Sequence, residues 1–325
     1  MNPSFRAAGV PAFALLLGLS PLAAKQDSLV ISVYSRTSPS YRREFLPDGN
    51  IKPQTYVVGN GGIANLPGRS SAGDPAMFPT IVRLLARRLT LQNFYPARQR
   101  ASADLLLVIH WGTTVPFDDA QLQNANANFG SAMNQLNNAE AVVRESEARG
   151  EQQTTTDGIQ IPIRSARDAA REDAETQLFQ SQLFQDMRLK ADEANARLLG
   201  YVEEINLRDN PSRYAGAGNY FDDLMNDIET PRFYVIVQAY DFQSAAIDGR
   251  RKLLWTTRMS IPAYGSDFSR CLPAMLSDAS QYFGRDCGRL VRNYREGVVR
   301  LGELEVLGTE PEGQAEEAPP AETPK

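Results

Sequence analysis

The chain has 325 residues, of which 42% are apolar and 22% are charged, and its 39 acidic and 34 basic side chains give a net charge of −5. This composition excludes a disordered chain, a collagen and a small disulfide-rich scaffold, and it leaves room for one or two packed cores. One histidine and two cysteines exclude multi-histidine metal sites and cysteine-rich zinc sites, so the sequence indicates no cofactor.

The first 24 residues have the features of a secretory signal peptide. Met1–Arg6 carries one positive charge, Val10–Leu19 is almost wholly apolar, and small residues precede a cleavage position near Ala24. The apolar run is half as long as the ~20 residues that a transmembrane helix needs. No later run is long enough to cross a bilayer, and no cysteine near the cleavage position can accept a lipid. We therefore expect a periplasmic or secreted protein that is soluble after signal-peptide removal, with no transmembrane segment in the mature chain.

Strands and one helix are predicted in the first part of the mature chain. Alternating apolar residues predict strands at Leu29–Tyr34 and Thr55–Val58. Apolar residues at helical spacing predict a helix over Phe78–Leu89. Leu105–Trp111 is apolar on both faces until His110, which is typical of a central strand.

Residues 118–206 contain two stripes of apolar and small residues, spaced alternately by three and four positions and separated by a polar loop at residues 150–163. The first stripe is Leu122, Ala125, Phe129, Ala132, Leu136, Ala139, Val143 and Ser146, and the second is Phe184, Met187, Ala191, Ala194, Leu198, Tyr201 and Ile205. Such stripes predict an antiparallel, coiled-coil-like helical hairpin, in which the alanines let the two backbones approach closely. We expect this hairpin to project from a sheet domain; the alternative is that its helices cover the second face of the sheet.

The second half of the sheet domain is predicted from residues 207–302. Strands are expected at Phe233–Phe242 and Leu253–Ile261, joined as an antiparallel hairpin by a turn at Asp248-Gly249. Helical segments are expected around Cys271–Phe283 and Arg285–Leu301. Residues 303–325 hold seven glutamates and four prolines, and this composition predicts a disordered acidic tail.

Together these elements predict an α+β fold: a mixed, mainly antiparallel sheet with helices packed on one face, interrupted by the long helical hairpin. The predicted organisation is a signal peptide at 1–24, a sheet domain formed by 25–117 plus 207–302, the hairpin insertion at 118–206 and the tail at 303–325. Charge separates along the same boundaries. The sheet domain has 24 basic and 16 acidic side chains, net +8, whereas the insertion has 8 basic and 16 acidic side chains, net −8.

Cys271 and Cys287 are the only pair available for a disulfide, which export would permit. Unbroken helix would separate them by ~24 Å, too far for a bridge. A bond therefore requires the chain to reverse between them, and Gly284 is a plausible helix end for such a reversal. Both a bridge and two buried free thiols remain predictions at this point.

His110 is the only candidate for an imidazole base. It ends an apolar strand, and Asp118 or Asp119 lies close enough in sequence to orient its ring. No serine or cysteine lies in a recognisable nucleophile motif. A hydrolytic enzyme that uses His110 with a nearby acid is therefore an alternative function, and His110 is a weak catalytic candidate.

Arginine clusters suggest a second alternative, an anion-binding module for an envelope glycan or lipid headgroups. The candidate residues are Arg83, Arg87, Arg88, Arg98, Arg100, Arg285, Arg289 and Arg292. The competing interpretation is that these side chains are ordinary solvated charges. Nucleic acid is not expected as a partner of an exported chain.

Three short motifs resemble a group of uncharacterised bacterial envelope domains. A strand opens at Ala103-Asp104-Leu105-Leu106-Leu107-Val108, a later strand ends at Ala239-Tyr240-Asp241, and a hairpin leads to Lys252-Leu253-Leu254-Trp255. The resemblance covers roughly residues 28–117 and 230–285. It implies a small α+β sandwich in the bacterial envelope with no assigned activity. This chain departs from the group by its helical insertion and by the lack of a lipid-accepting cysteine.

The leading functional prediction is a non-enzymatic exported envelope protein with a binding or assembly role. The hairpin at residues 118–206 would contact a protein partner or a second copy of the chain, and the basic sheet domain would offer a surface to an anionic envelope polymer.

Overall fold

The structure, a computed structural model, describes residues 29–64, 73–151, 153–156, 159–206, 218–246 and 249–295. The predicted signal peptide and the predicted acidic tail lie outside the described residues. All described residues belong to one unit, Leu29–Arg295. Among the described helices, none is both long and apolar enough to cross a membrane.

Seven strands form one mixed sheet in the order β3-β2-β4-β7-β8-β1-β9. They are β1 (Leu29–Thr37), β2 (Gln54–Gly62), β3 (Phe94–Pro96), β4 (Leu105–Thr113), β7 (Arg232–Asp241), β8 (Leu253–Pro262) and β9 (Val291–Arg295). The pairs β2–β3 and β2–β4 are parallel, and the other four pairs are antiparallel. A separate two-stranded ribbon joins β5 (Gln153–Thr156) to β6 (Ile159–Pro162). The predicted α+β fold with a mainly antiparallel sheet is therefore confirmed.

Seven α-helices accompany the strands in the described part of the chain. They are α1 (Phe78–Thr90), α2 (Asp119–Arg149), α3 (Ile163–Leu199), α4 (Val202–Asn206), α5 (Gly218–Glu229), α6 (Phe242–Ala246) and α7 (Phe268–Ala279). The helix α6 lies in the connection between β7 and β8, where the sequence predicted only a turn.

The main core lies between one face of the sheet and helices α1 and α7. On α1, Ile81, Leu85 and Leu89 repeat every four residues and are fully buried, because this spacing places them on one side of the helix. The central strands contribute every second residue to the same core, as Leu107 and Ile109 do on β4.

A second, smaller core covers part of the opposite face of the sheet. The end of α3 contributes Leu198 and Leu199, and α5 contributes Leu224 and Ile228. These side chains pack over Tyr34, Tyr234 and Ile236 of the sheet, and Tyr201 is also fully buried there. The second core does not cover the rest of this face of the sheet.

A buried ion pair lies within the second core. The guanidinium of Arg232 is fully buried and donates to Asp227 Oδ1 at 2.5 Å, and it also donates to the carbonyl oxygen of Val30 at 2.9 Å. Asp227 accepts from the Tyr201 hydroxyl at 2.9 Å and pairs with Arg292 at 3.2 Å. The acidic segment of α5 is thus not wholly solvated, because one of its carboxylates neutralises two arginines.

The long helices α2 and α3 pack together as the predicted hairpin, with the ribbon β5–β6 between them. On α2 the buried residues are Ala125, Ala132, Val143 and Ser146, all members of the predicted stripe. On α3 the buried residues along the hairpin are Ala174, Ser181, Ala191 and Asn195. Small and polar side chains therefore dominate the α3 side of this interface.

One member of the second predicted stripe is wrong. Met187 is 44% exposed, and the neighbouring Arg188 is turned toward the base of the hairpin. The spacing of three and four residues continues along α3, but mostly through alanine, serine and polar residues. A stripe of apolar residues alone therefore includes Met187, whereas the side chain at the base of the hairpin is that of the next residue, Arg188. Arg188 pairs with Asp119 at the start of α2 and with Glu229 at the end of α5, at 3.5 and 2.7 Å.

The predicted helix over Arg285–Leu301 is also wrong within the described residues. Gly284 and Gly288 adopt positive φ angles of 69° and 73°, which interrupt a helix. The chain then forms β9, which pairs with β1 in an antiparallel register.

The structure contains two free thiols rather than the possible Cys271–Cys287 bridge. Cys271 packs against the main core and Cys287 against the second core, on opposite faces of the sheet. Cys287 is held in place by Ser35, whose backbone N–H donates to Sγ at 3.1 Å and whose carbonyl accepts from it at 3.2 Å. The sheet therefore separates the two sulfurs.

Candidate functional site

The main candidate site is a cleft over the part of the second sheet face that the smaller core leaves uncovered. It offers about 600 Å³ and extends over β2, β4 and β7, beside α6 and the residues that precede β8. Its lining is Asn60, Gly61, Leu106, Val108, His110, Gln238, Tyr240, Ala245, Gly249 and Arg251. We call this the sheet-face cleft.

The strand register explains why these side chains share the cleft. Leu106, Val108 and His110 alternate with the core residues of β4, so they point to the opposite face of the sheet. Gln238 lies beside Val108, and Tyr240 beside Leu106, on the neighbouring strand β7. The cleft therefore has an apolar floor of Leu106 and Val108, and His110 lies at one end of it.

His110 lies partly buried at one end of the cleft. A register shift in β2 places Gly61 against the imidazole, so closely that a Cβ on Gly61 would lie 2.5 Å from the ring carbon Cε1. Burial lowers the pKa of His110 below its usual 6.5, and the Gln238 side chain partly opposes this shift. The Nδ1 atom is buried and has no hydrogen-bond partner in the described part of the chain. Burial therefore favours the neutral form of the ring.

The acids that the sequence placed beside His110 lie elsewhere. Asp118 caps the start of α2, where its carboxylate accepts from the Ala120 N–H at 3.1 Å. Asp119 pairs with Arg188 at the base of the hairpin. No carboxylate is among the described residues that line the cleft. Neither Asp118 nor Asp119 therefore orients the imidazole of His110.

The eight candidate anion-binding arginines are spread over several surfaces. Arg83 and Arg87 are exposed on the outer side of α1, and Arg87 and Arg88 line a groove of about 370 Å³ between α1 and α7. Arg292 is not free to bind an anion, because it pairs with Asp223 at 3.1 Å and with Asp227.

The remaining arginines of this set are exposed. Arg98 and Arg100 lie in the connection between β3 and β4, and Arg285 and Arg289 lie between α7 and β9. Arg285 is close enough to Arg43 to contribute to the lowered pKa of Arg43, whose main cause is burial. No contact in the described residues joins these side chains to the groove between α1 and α7.

A second candidate surface is an apolar row on the outer side of the hairpin. Phe179, Leu183 and Met187 on α3 are 66%, 46% and 44% exposed. They follow one another at intervals of four residues, which keeps them on one side of the helix. Leu183 lies two positions after the buried Ser181, or about 200° around the helix, so the centre of the row faces away from α2. We call these three residues the outer strip.

No protein-family model matches the chain, and no curated protein matches it either. No group of three or more histidine, cysteine, aspartate or glutamate residues within the described ranges could hold a metal ion.

Sequence reasoning found His110 but missed the rest of the cleft. Gln238 and Tyr240 interrupt the otherwise apolar sequence of β7. Polar residues at alternate positions of a central strand indicate a face that is open to solvent or to a ligand. Arg251 belongs to the basic run Arg250-Arg251-Lys252, whose position over the sheet face depends on α6. The outer strip was missed because one of its members, Met187, had been assigned to the hairpin interface.

Proposed function

We propose that this chain is a non-enzymatic exported envelope protein that assembles with a second copy of itself through the outer side of α3. The observation that carries the proposal is the outer strip, three apolar side chains that remain exposed on a helix whose other side is already packed on α2. Apolar rows of this kind on a helix are typical of surfaces that receive another helix.

The charges along α3 favour an antiparallel arrangement of the two copies. Glu172 and Glu175 precede the outer strip, Lys190 follows it, and all three are exposed and form no ion pair in the described part of the chain. Glu172 lies one heptad before Phe179, and Lys190 lies one heptad after Leu183, so both charges flank the strip on the same side.

An antiparallel pair centred on Leu183 places Phe179 of one copy opposite Met187 of the other. Lys190 then lies opposite Thr176, within one helical turn of Glu172 and Glu175 of the second copy. A parallel pair in register would instead place glutamate beside glutamate and lysine beside lysine, which is unfavourable. These charges therefore support the antiparallel pair over the parallel one.

Sedimentation velocity of the full mature chain over a wide concentration range tests the proposal. The chain should show a concentration-dependent dimer. Leu183→Glu should weaken dimerisation by about tenfold or more, because two carboxylates would be buried at the centre of the interface. The matched control is Leu189→Glu, which changes another exposed leucine on a different side of α3 and should leave the dimer unaffected.

A charge exchange tests the antiparallel arrangement separately. Lys190→Glu should weaken the dimer, and adding Glu172→Lys with Glu175→Lys in the same chain should restore it. A chain that is monomeric at every concentration, or equal effects of Leu183→Glu and Leu189→Glu, would contradict the proposal.

A second candidate function is binding of an anionic envelope polymer by the basic sheet domain. It is supported by the exposure of Arg83 and Arg87 on α1, and neither side chain forms an ion pair among the described residues. Neutralising both as glutamines should weaken binding to vesicles of anionic lipid at low salt, with a smaller difference at high salt. Binding that does not depend on salt would count against this function.

A further inference from the structure

We propose that the sheet-face cleft binds a small elongated amphiphile, with an anionic group at Arg251, an apolar chain over Leu106 and Val108, and a hydrogen-bonding group at His110. This binding site is independent of the assembly proposed for α3, because none of its lining residues belongs to the hairpin.

The distribution of polar groups along the cleft supports an elongated ligand. Leu106 and His110 are four residues apart on β4, so the two ends of the cleft are separated by ~13 Å. Tyr240 lies opposite Leu106 on β7 and pairs with Leu253 on β8. Arg251 precedes Leu253 by two residues and lines the cleft, which places it toward the end away from His110.

The floor between the two ends suits an alkyl chain. Leu106 and Val108 are only partly buried although both belong to a central strand, because nothing in the described residues covers them fully. Gly61 and Gly249 add no side chains to the lining. A chain of about ten methylene groups would fill the distance and would remove apolar surface from water.

The charge of the lining favours an anion. Arg251 is exposed and forms no ion pair within the described ranges, and the described lining contains no carboxylate that would repel an anion or neutralise the arginine. At the other end, His110 lines the cleft and is only partly buried, so its imidazole can form a hydrogen bond with a ligand hydroxyl or amide. Arginine binds both carboxylates and phosphates, so a fatty acid and a lysophospholipid share the required chemistry.

Calorimetry with the mature chain and synthetic probes tests the proposal. Decanoate should bind saturably, whereas decanol and decylamine should bind at least about tenfold more weakly, since each lacks the group that Arg251 recognises. The probe 10-hydroxydecanoate should bind more tightly than decanoate, because its distal hydroxyl reaches His110. Comparison of decanoate with decyl phosphate and with a ten-carbon lysophospholipid distinguishes a fatty acid from a lipid headgroup as the preferred source of the anion.

Matched variants locate the probe. Arg251→Gln should weaken decanoate about tenfold, whereas Arg250→Gln, which removes the neighbouring exposed charge outside the lining, should have little effect. His110→Leu should abolish the preference for 10-hydroxydecanoate over decanoate. Ala245→Trp should fill the cleft and remove binding of every probe.

Several results would overturn the proposal. Equal losses for Arg251→Gln and Arg250→Gln would mean that only long-range charge attracts the probe. Binding that persists in Ala245→Trp would place the probe elsewhere, and decanol binding as tightly as decanoate would remove the role of the anion. Far-UV circular dichroism of each variant confirms that a loss of binding does not come from unfolding.

Discussion

Replacing Asp227 by asparagine should destabilise the folded chain by about 3–5 kcal/mol, the cost of leaving a buried charge without its partner. The side chain of Arg232 is fully buried and that of Asp227 is 6% exposed, so water cannot replace the lost carboxylate charge. Asp227 also accepts from Tyr201 and pairs with Arg292, so one substitution weakens three interactions.

The matched control is Asp223→Asn, which removes a carboxylate that is 52% exposed and pairs with the same Arg292. This change should cost less than about 1 kcal/mol, as exposed ion pairs do. Urea unfolding of the two variants, compared through midpoints at equal slope, measures the difference. Equal losses would refute the reasoning that burial gives the Asp227 pair its importance.

Four further predictions follow from the described contacts. An NMR titration of His110, the only histidine, should give a midpoint below 6.5, and a midpoint above 6.5 would contradict the buried environment. The folding stability that the neutral imidazole contributes is therefore present above pH 6.5 and is lost as the pH falls through the lowered pKa. Gly61→Ala should shift the NMR signals of the His110 ring. Burial raises the pKa of Tyr201 to about 12 from 10.0, so stability present below pH 10 should be lost as the pH rises toward 12, with a shallower loss in Tyr201→Phe. Mass spectrometry of the chain exported by a bacterium should find Lys25 at the N-terminus, and an intact Met1 would contradict the signal peptide. Both cysteines should react with a thiol reagent after unfolding without reductant, and a chain with no reactive thiol would contradict the separation of Cys271 and Cys287 by the sheet.

Much of the fold could be predicted because its signals are local. Leu29, Ile31 and Val33 alternate with the period of a strand, and β1 begins at the predicted residue. The α2 stripe was predicted correctly because its alanines and Val143 repeat at the spacing that packing of two helices requires.

The errors arose where long-range contacts decide the conformation. The sequence around Val291 suits a helix or a strand, and its pairing with β1, more than 250 positions earlier, selects the strand. The buried ion pair of Asp227 could not be predicted from its own segment, because only the folded sheet brings Arg232 and Arg292 to it. The cleft combines side chains from β2, β4, β7 and the β7–β8 connection, so no single stretch of sequence contains its pattern.

The two edges of the large sheet restrict the ways in which this protein can associate. At one edge, β3 has only three residues and ends in Pro96, which has no N–H to offer a further strand. At the other edge, β9 has five residues and ends in Arg295, whose half-exposed charged side chain discourages pairing with another chain. Edge-to-edge pairing of the sheets of two copies is thereby disfavoured. Copies of the chain that accumulate at high concentration are therefore less prone to aggregate through their strands.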